Sequence, residues 1–126
     1  MENKELIDIA NKAKNFSYSP YSKFRVGAAL LCEDGKIFTG CNIENASYGL
    51  AVCAERTAIL KAISEGYKNF KKIAIVVDTP TPAYPCGACM QVMSEFAPNL
   101  QILLCGSNNQ IVETNLTQIF PQQFSL

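Results

Sequence analysis

Histidine is absent from this 126-residue chain. Imidazole is therefore excluded as a metal ligand, as a general base and as half of a Ser-His or Cys-His couple. Any metal chemistry falls to cysteine and carboxylate ligands, and any general base must be Asp, Glu, Lys, Tyr or Cys. Net charge is also missing, since 11 basic residues offset 11 acidic ones. Nucleic-acid binders carry a basic excess or a basic stripe. The nearest feature here is Lys68, Lys71 and Lys72, which reads as solvated charge where a helix ends and a strand begins. A small substrate is favoured, and no nucleic-acid partner is expected. No apolar stretch approaches the length of a membrane span. Met1 to Phe16 is charged and amphipathic, unlike a signal peptide. The expected location is the cytoplasm, with no membrane partner.

What the chain does have is six cysteines, at 32, 41, 53, 86, 89 and 105. In a reducing compartment a Cys-x-x-Cys pair reads as a metal or redox motif rather than a structural bridge. Two segments stand out: Cys53-Ala54-Glu55-Arg56 and Pro85-Cys86-Gly87-Ala88-Cys89. Three thiolates can hold one zinc ion and leave its fourth position open, as catalytic rather than structural sites do. Glu55, two residues after the first ligand, is placed to move protons to and from a water at that position. Three thiolates on Zn²⁺ leave a net charge of −1, and the Arg56 guanidinium can offset it by hydrogen-bonding the sulfurs. Pro85 suits a helix start, and Gly87 lets the backbone approach the metal. Other readings stay open. Cys86 and Cys89 alone fit a redox pair. A closed four-cysteine site needs Cys32, Cys41 or Cys105, which read as small core hydrophobes in strands. Glu55 fits an ordinary first-turn glutamate, and Arg56 an ordinary surface arginine.

The length, with no internal repeat or low-complexity segment, predicts one domain over residues 1–126. Residues 3–16 read as an amphipathic helix with Leu6, Ile9, Ala10, Ala13 and Phe16 on its apolar face. Val26–Cys32 and Lys36–Cys41 flank the turn Glu33-Asp34-Gly35 and predict an antiparallel hairpin. Residues 53–65 and 86–96 predict helices, with Gly66 at a helix end. Ile73–Val77 and Leu100–Cys105 predict buried strands, Ile111–Glu113 a short strand, and Leu116–Phe120 a helical turn. Asp78–Pro85 holds three prolines and continues neither element. Strands alternating with helices give an α/β fold, a three-layer α/β/α sandwich with a mixed sheet. Both ligand groups then fall at helix N-termini, where partial positive charge and free N–H groups favour thiolates.

The pattern C-x-E…P-C-x-x-C resembles the zinc-deaminase signature H-x-E…P-C-x-x-C, in its three-cysteine form. Tyr18–Phe24, Val26–Leu30 and Gly40–Ala46, with the two cysteine segments, resemble the small homotetrameric zinc-dependent cytidine deaminases. Met90 departs from a pattern that often has Arg there. The resemblance implies deamination of cytidine and deoxycytidine, with one zinc per chain and Glu55 as the proton carrier. It implies that Asn42 and Glu44 bind the ribose hydroxyls, that Phe24 stacks on the pyrimidine and that the Ala54 backbone meets the base. It also implies that Ala46, Tyr48 and Phe124 reach a neighbouring subunit's site, so that a homotetramer shares its active sites. A deaminase of another aminopyrimidine nucleoside, such as the blasticidin S deaminases, is the nearest alternative. A zinc-stabilised binding module without turnover is a more distant one.

Overall fold

The computed structural model describes all 126 residues. Five strands form one mixed sheet in the order β2-β1-β3-β4-β5. They are β1 (Val26–Cys32), β2 (Ile37–Cys41), β3 (Phe70–Val77), β4 (Gln101–Cys105) and β5 (Ile111–Asn115). Only β3 and β4 run parallel. A parallel pair needs a crossover, and here it consists of the proline loop and α3 (Gly87–Phe96). The other helices are α1 (Asn3–Lys14), α2 (Ala54–Ser64) and the single turn α4 (Leu116–Ile119).

Past Lys71, Lys72 and Gln101 near their starts, the central strands are apolar because both faces of the sheet are covered, and successive side chains point to opposite faces. Ala29, Leu31, Ala74, Val76, Leu103 and Cys105 pack against Leu6, Ile7 and Ala10 of α1. Ala28, Leu30, Ile73, Ile75, Ile102 and Leu104 pack on the other face, against Ala54, Ala58, Ile59 and Ala62 of α2 and Cys89 and Met93 of α3. The three-layer sandwich expected from the alternation of elements is the observed one.

Close backbone approach fixes α2. A Cβ at Gly40 would lie 2.4 Å from the Ala54 oxygen and 2.6 Å from the Ala58 nitrogen. Only glycine lets the first turn of this helix rest directly on β2. A charged cluster fixes the start of β1. Asp78, just past β3, accepts from Arg25 Nε at 2.7 Å and lies 2.9 Å from Lys14 Nζ. Lys14 is buried at the end of α1, so the pair is a tie between three elements rather than a surface ornament.

Three details depart from the sequence reading. α1 ends at Lys14, and Phe16 is 80% exposed rather than packed, because the chain turns at Asn15 and carries the ring off the apolar face. β3 starts three residues early, at Phe70, because pairing with Cys32 extends it through a bulge. Cys41 is only half-buried, unlike Cys32 and Cys105, because β2 is an edge strand whose alternate residues face a groove beside Ile9 and Phe16.

Candidate active site

Cys53 and Cys86 are the N-cap residues of α2 and α3, both with extended backbone and neither with a side-chain cap hydrogen bond. Neither sulfur thus caps the backbone N–H groups of its own helix. Cys89 follows in the first turn of α3. The three Sγ atoms lie within 4.8 Å of one another, and Cys86 Sγ is 3.6 Å from Cys89 Sγ. A tetrahedral zinc with Zn–S bonds of about 2.3 Å sets its sulfurs about 3.8 Å apart. The donor set and its spacing therefore fit one zinc. Cys32, Cys41 and Cys105 stand outside the cluster, in the two apolar cores and the β2 groove. The closed four-cysteine alternative has no fourth sulfur.

The electrostatics match the geometry. Hydrogen bonding from Cys89, aided by Arg56, lowers the Cys53 thiol to about 5. The shared proton and burial push the Cys89 thiol up. Binding a cation to these thiols releases the protons they still hold. Arg56 Nη2 sits 3.7 Å from Cys53 Sγ, and its Nε is buried without a hydrogen-bond partner. The guanidinium faces the sulfurs, and the surface alternative for Arg56 does not describe it. Glu55 is only 5% exposed, and burial raises its pKa. A carboxyl beside three sulfurs with a raised pKa is poised for proton transfer rather than for solvation.

One pocket gathers Cys53, Ala54, Glu55 and Cys86 with Phe24, Val26, Asn42, Ile75, Val77, Ala83 and Tyr84. Ala54 is fully buried in its wall. Glu44 does not line it. That residue borders an adjoining cavity with Tyr21, Ser22, Asn45, Tyr48 and Ala51. Its carboxylate accepts from the Tyr21 and Ser22 backbone N–H groups at 3.0 and 3.1 Å and from the Ser22 hydroxyl. The Ser22 hydroxyl holds its pKa below the usual carboxylate value. Asn42 is similarly engaged. Its Oδ1 accepts from Val26 N at 2.9 Å and from Ser17 Oγ at 2.5 Å, while Nδ2 donates to the Phe24 oxygen at 2.7 Å. Both residues therefore staple the 17–26 loop as well as facing cavities.

Ala46, Tyr48 and Phe124 do not border the Glu55 pocket of their own chain. Tyr48 is 78% and Phe124 67% exposed, and the Phe124 backbone oxygen accepts from Gln91 Nε2 at 3.2 Å. A Cβ at Gly87 would meet no atom of the chain, so packing within the chain does not demand glycine there. Ala83 and Tyr84 escaped the sequence reading. Their adjacency to Cys86 was the available signal.

Three sulfurs at two helix starts, a buried carboxyl among them and an arginine on the sulfurs are the parts of a metal-assisted hydrolytic site of the deaminase class. Residues 1–105 match the family model for the cytidine and deoxycytidylate deaminase zinc-binding region, and the chain belongs to that family. Cytidine deaminase of Sporosarcina psychrophila is 48% identical over 126 residues, covering 99% of this chain and 93% of the relative. The crystal structure of cytidine deaminase from Burkholderia pseudomallei matches with a TM-score of 0.95 at 46% identity, over 98% of this chain and 100% of that one. Blasticidin-S deaminase of Bacillus cereus is 31% identical over 129 residues, 96% of this chain and 91% of the relative.

Proposed function

We propose that this chain hydrolyses cytidine and deoxycytidine to uridine and deoxyuridine, releasing ammonia. The observation that carries the reading is the buried Glu55 carboxyl in one pocket with Cys53, Cys86, Phe24 and Asn42. Cys53, Cys86 and Cys89 would hold zinc, which would supply the Lewis acidity that makes water nucleophilic near neutral pH. Glu55 takes a proton from the attacking water and delivers it to ring N3, which makes C4 electrophilic. The water oxygen bonds to C4, and the same carboxyl then moves the proton of that new hydroxyl to the amino group as the C4–N bond breaks and ammonia leaves. No other residue in the pocket carries a titratable oxygen as deep, and the chain has no histidine to replace it. Arg56 withdraws charge from the sulfurs, so that three thiolates do not suppress ionisation of the water.

Phe24 stacks on the base, the Ala54 backbone meets its edge, and Asn42 with Glu44 binds the ribose hydroxyls from adjoining cavities. The exposed rings of Tyr48 and Phe124 support a homotetramer in which they, with Ala46, complete a neighbour's site. On this reading the enzyme works in cytoplasmic pyrimidine salvage. Higher identity to cytidine deaminases than to blasticidin-S deaminase favours cytidine over the alternative substrate.

Purified, zinc-loaded protein incubated with cytidine should form uridine and ammonia in equal amounts. No product from a zinc-bound sample overturns the reading. Dilution until light scattering reports monomers should abolish turnover, and a fully active monomer would remove the shared site.

A further inference from the structure

Tyr84 is 59% exposed, yet its side chain borders the pocket that holds Glu55, Cys86 and Phe24. It belongs to neither apolar core, so the fold makes little use of its ring. Its place is nevertheless fixed. Pro82 and Pro85 on either side are buried, and proline restricts the backbone around them. Further back, the loop lies on the end of β4. Ser107 N donates to the Thr79 oxygen at 2.8 Å, and a Cβ at Gly106 would stand 2.1 Å from the Pro80 oxygen. The backbone that presents this exposed ring at the pocket mouth is thus anchored on both sides.

The walls can be assigned by elimination, resting on the nucleoside-deaminase reading above. Glu55, on α2, serves the N3 edge of the pyrimidine. Phe24 covers a ring face, and C4 lies by the sulfurs. The edge left for the Ala83–Tyr84 segment is C5–C6. C5 is the atom next to C4, and Tyr84 is two residues from the ligand Cys86, so a group on C5 meets this ring first. We infer that Tyr84 is a specificity-determining residue that limits the size of the substituent accepted at pyrimidine C5.

The test measures kcat and KM of zinc-loaded protein for cytidine, 5-methylcytidine and 5-iodocytidine. It compares the unaltered chain with Tyr84→Phe, Tyr84→Leu and Tyr84→Ala. The exposed position lets these variants fold, and zinc content with melting temperature checks that they do. The preference for cytidine over 5-iodocytidine should narrow about 10-fold in Tyr84→Ala, mainly through KM of the larger substrate. Tyr84→Leu should fall between, and Tyr84→Phe should keep the original ratio because the ring remains. A ratio unmoved in folded, zinc-bound Tyr84→Ala, with cytidine still turned over, overturns this inference alone. Absence of cytidine turnover in the unaltered protein overturns the nucleoside reading and this inference with it.

Discussion

Glu55 carries two burdens at once, since it is almost wholly buried and lies beside Cys53, whose thiolate repels its charge. Such a group is retained for what it does to protons. Glu55→Gln should keep zinc, because it is no ligand, and lose roughly 10²- to 10⁴-fold in turnover. Metal content and uridine formation read the two effects separately, and a zinc-bound variant with undiminished turnover removes Glu55 from the mechanism. Arg56→Gln takes the guanidinium off Cys53 Sγ. Zinc affinity in chelator competition should fall roughly 10- to 100-fold, and unchanged affinity would leave Arg56 without its assigned role. These residues were legible in the sequence because a short motif fixes their spacing within one helical turn. Tyr84 was not, and neither was the separation of Glu44 from the Glu55 pocket. Adjacency to Cys86 was the one local signal for Tyr84, whereas the placement of Glu44 depends on which loops the sheet brings together, which local spacing does not encode.

Among the elements, the junction of α1, β1 and β3 controls the pocket's Phe24 wall. Phe24 precedes Arg25, Val26 pairs with Val77, and Asp78 holds Arg25 and Lys14. Hydrogen bonding from Arg25, helped by Lys14, keeps the Asp78 carboxyl below its ordinary range. A depressed folded-state pKa stabilises the fold above the unfolded aspartate value, and that stabilisation fades as pH falls through the folded one. Asp78→Asn should therefore cost about 1 kcal/mol at neutral pH, discounted for partial exposure. The gap from the unaltered chain should close in acid. Denaturant titrations at several pH values check this, and a gap independent of pH would contradict it. The helices and strands themselves could be read from periodicity because each is strongly amphipathic or continuously apolar. Their ends could not. The early stop of α1 and the early start of β3 follow from a turn at Asn15 and a bulge opposite Cys32, both settled by tertiary contacts.

At the scale of the whole molecule, the site stands between two helices that otherwise touch sparingly, and both rest on the same face of the sheet. No helix is long and apolar enough to cross a membrane. Removing zinc with a chelator should lower stability by on the order of 3 kcal/mol, read as a lower melting temperature that recovers when zinc is restored. An unchanged melting temperature after verified metal loss would mean that the ion serves chemistry alone. The magnitude has a source in polymer physics. The chain between Cys53 and Cys86 contains α2, β3 and the proline loop, and an ion gripped at both ends ties that stretch into a ring. An ion that stays bound through unfolding removes configurations from the unfolded chain as a disulfide does, and for this span the chain-entropy account gives roughly 3–4 kcal/mol. The cofactor is thus also a cross-link, one that a cell can withdraw by competing for zinc without cutting or oxidising the protein.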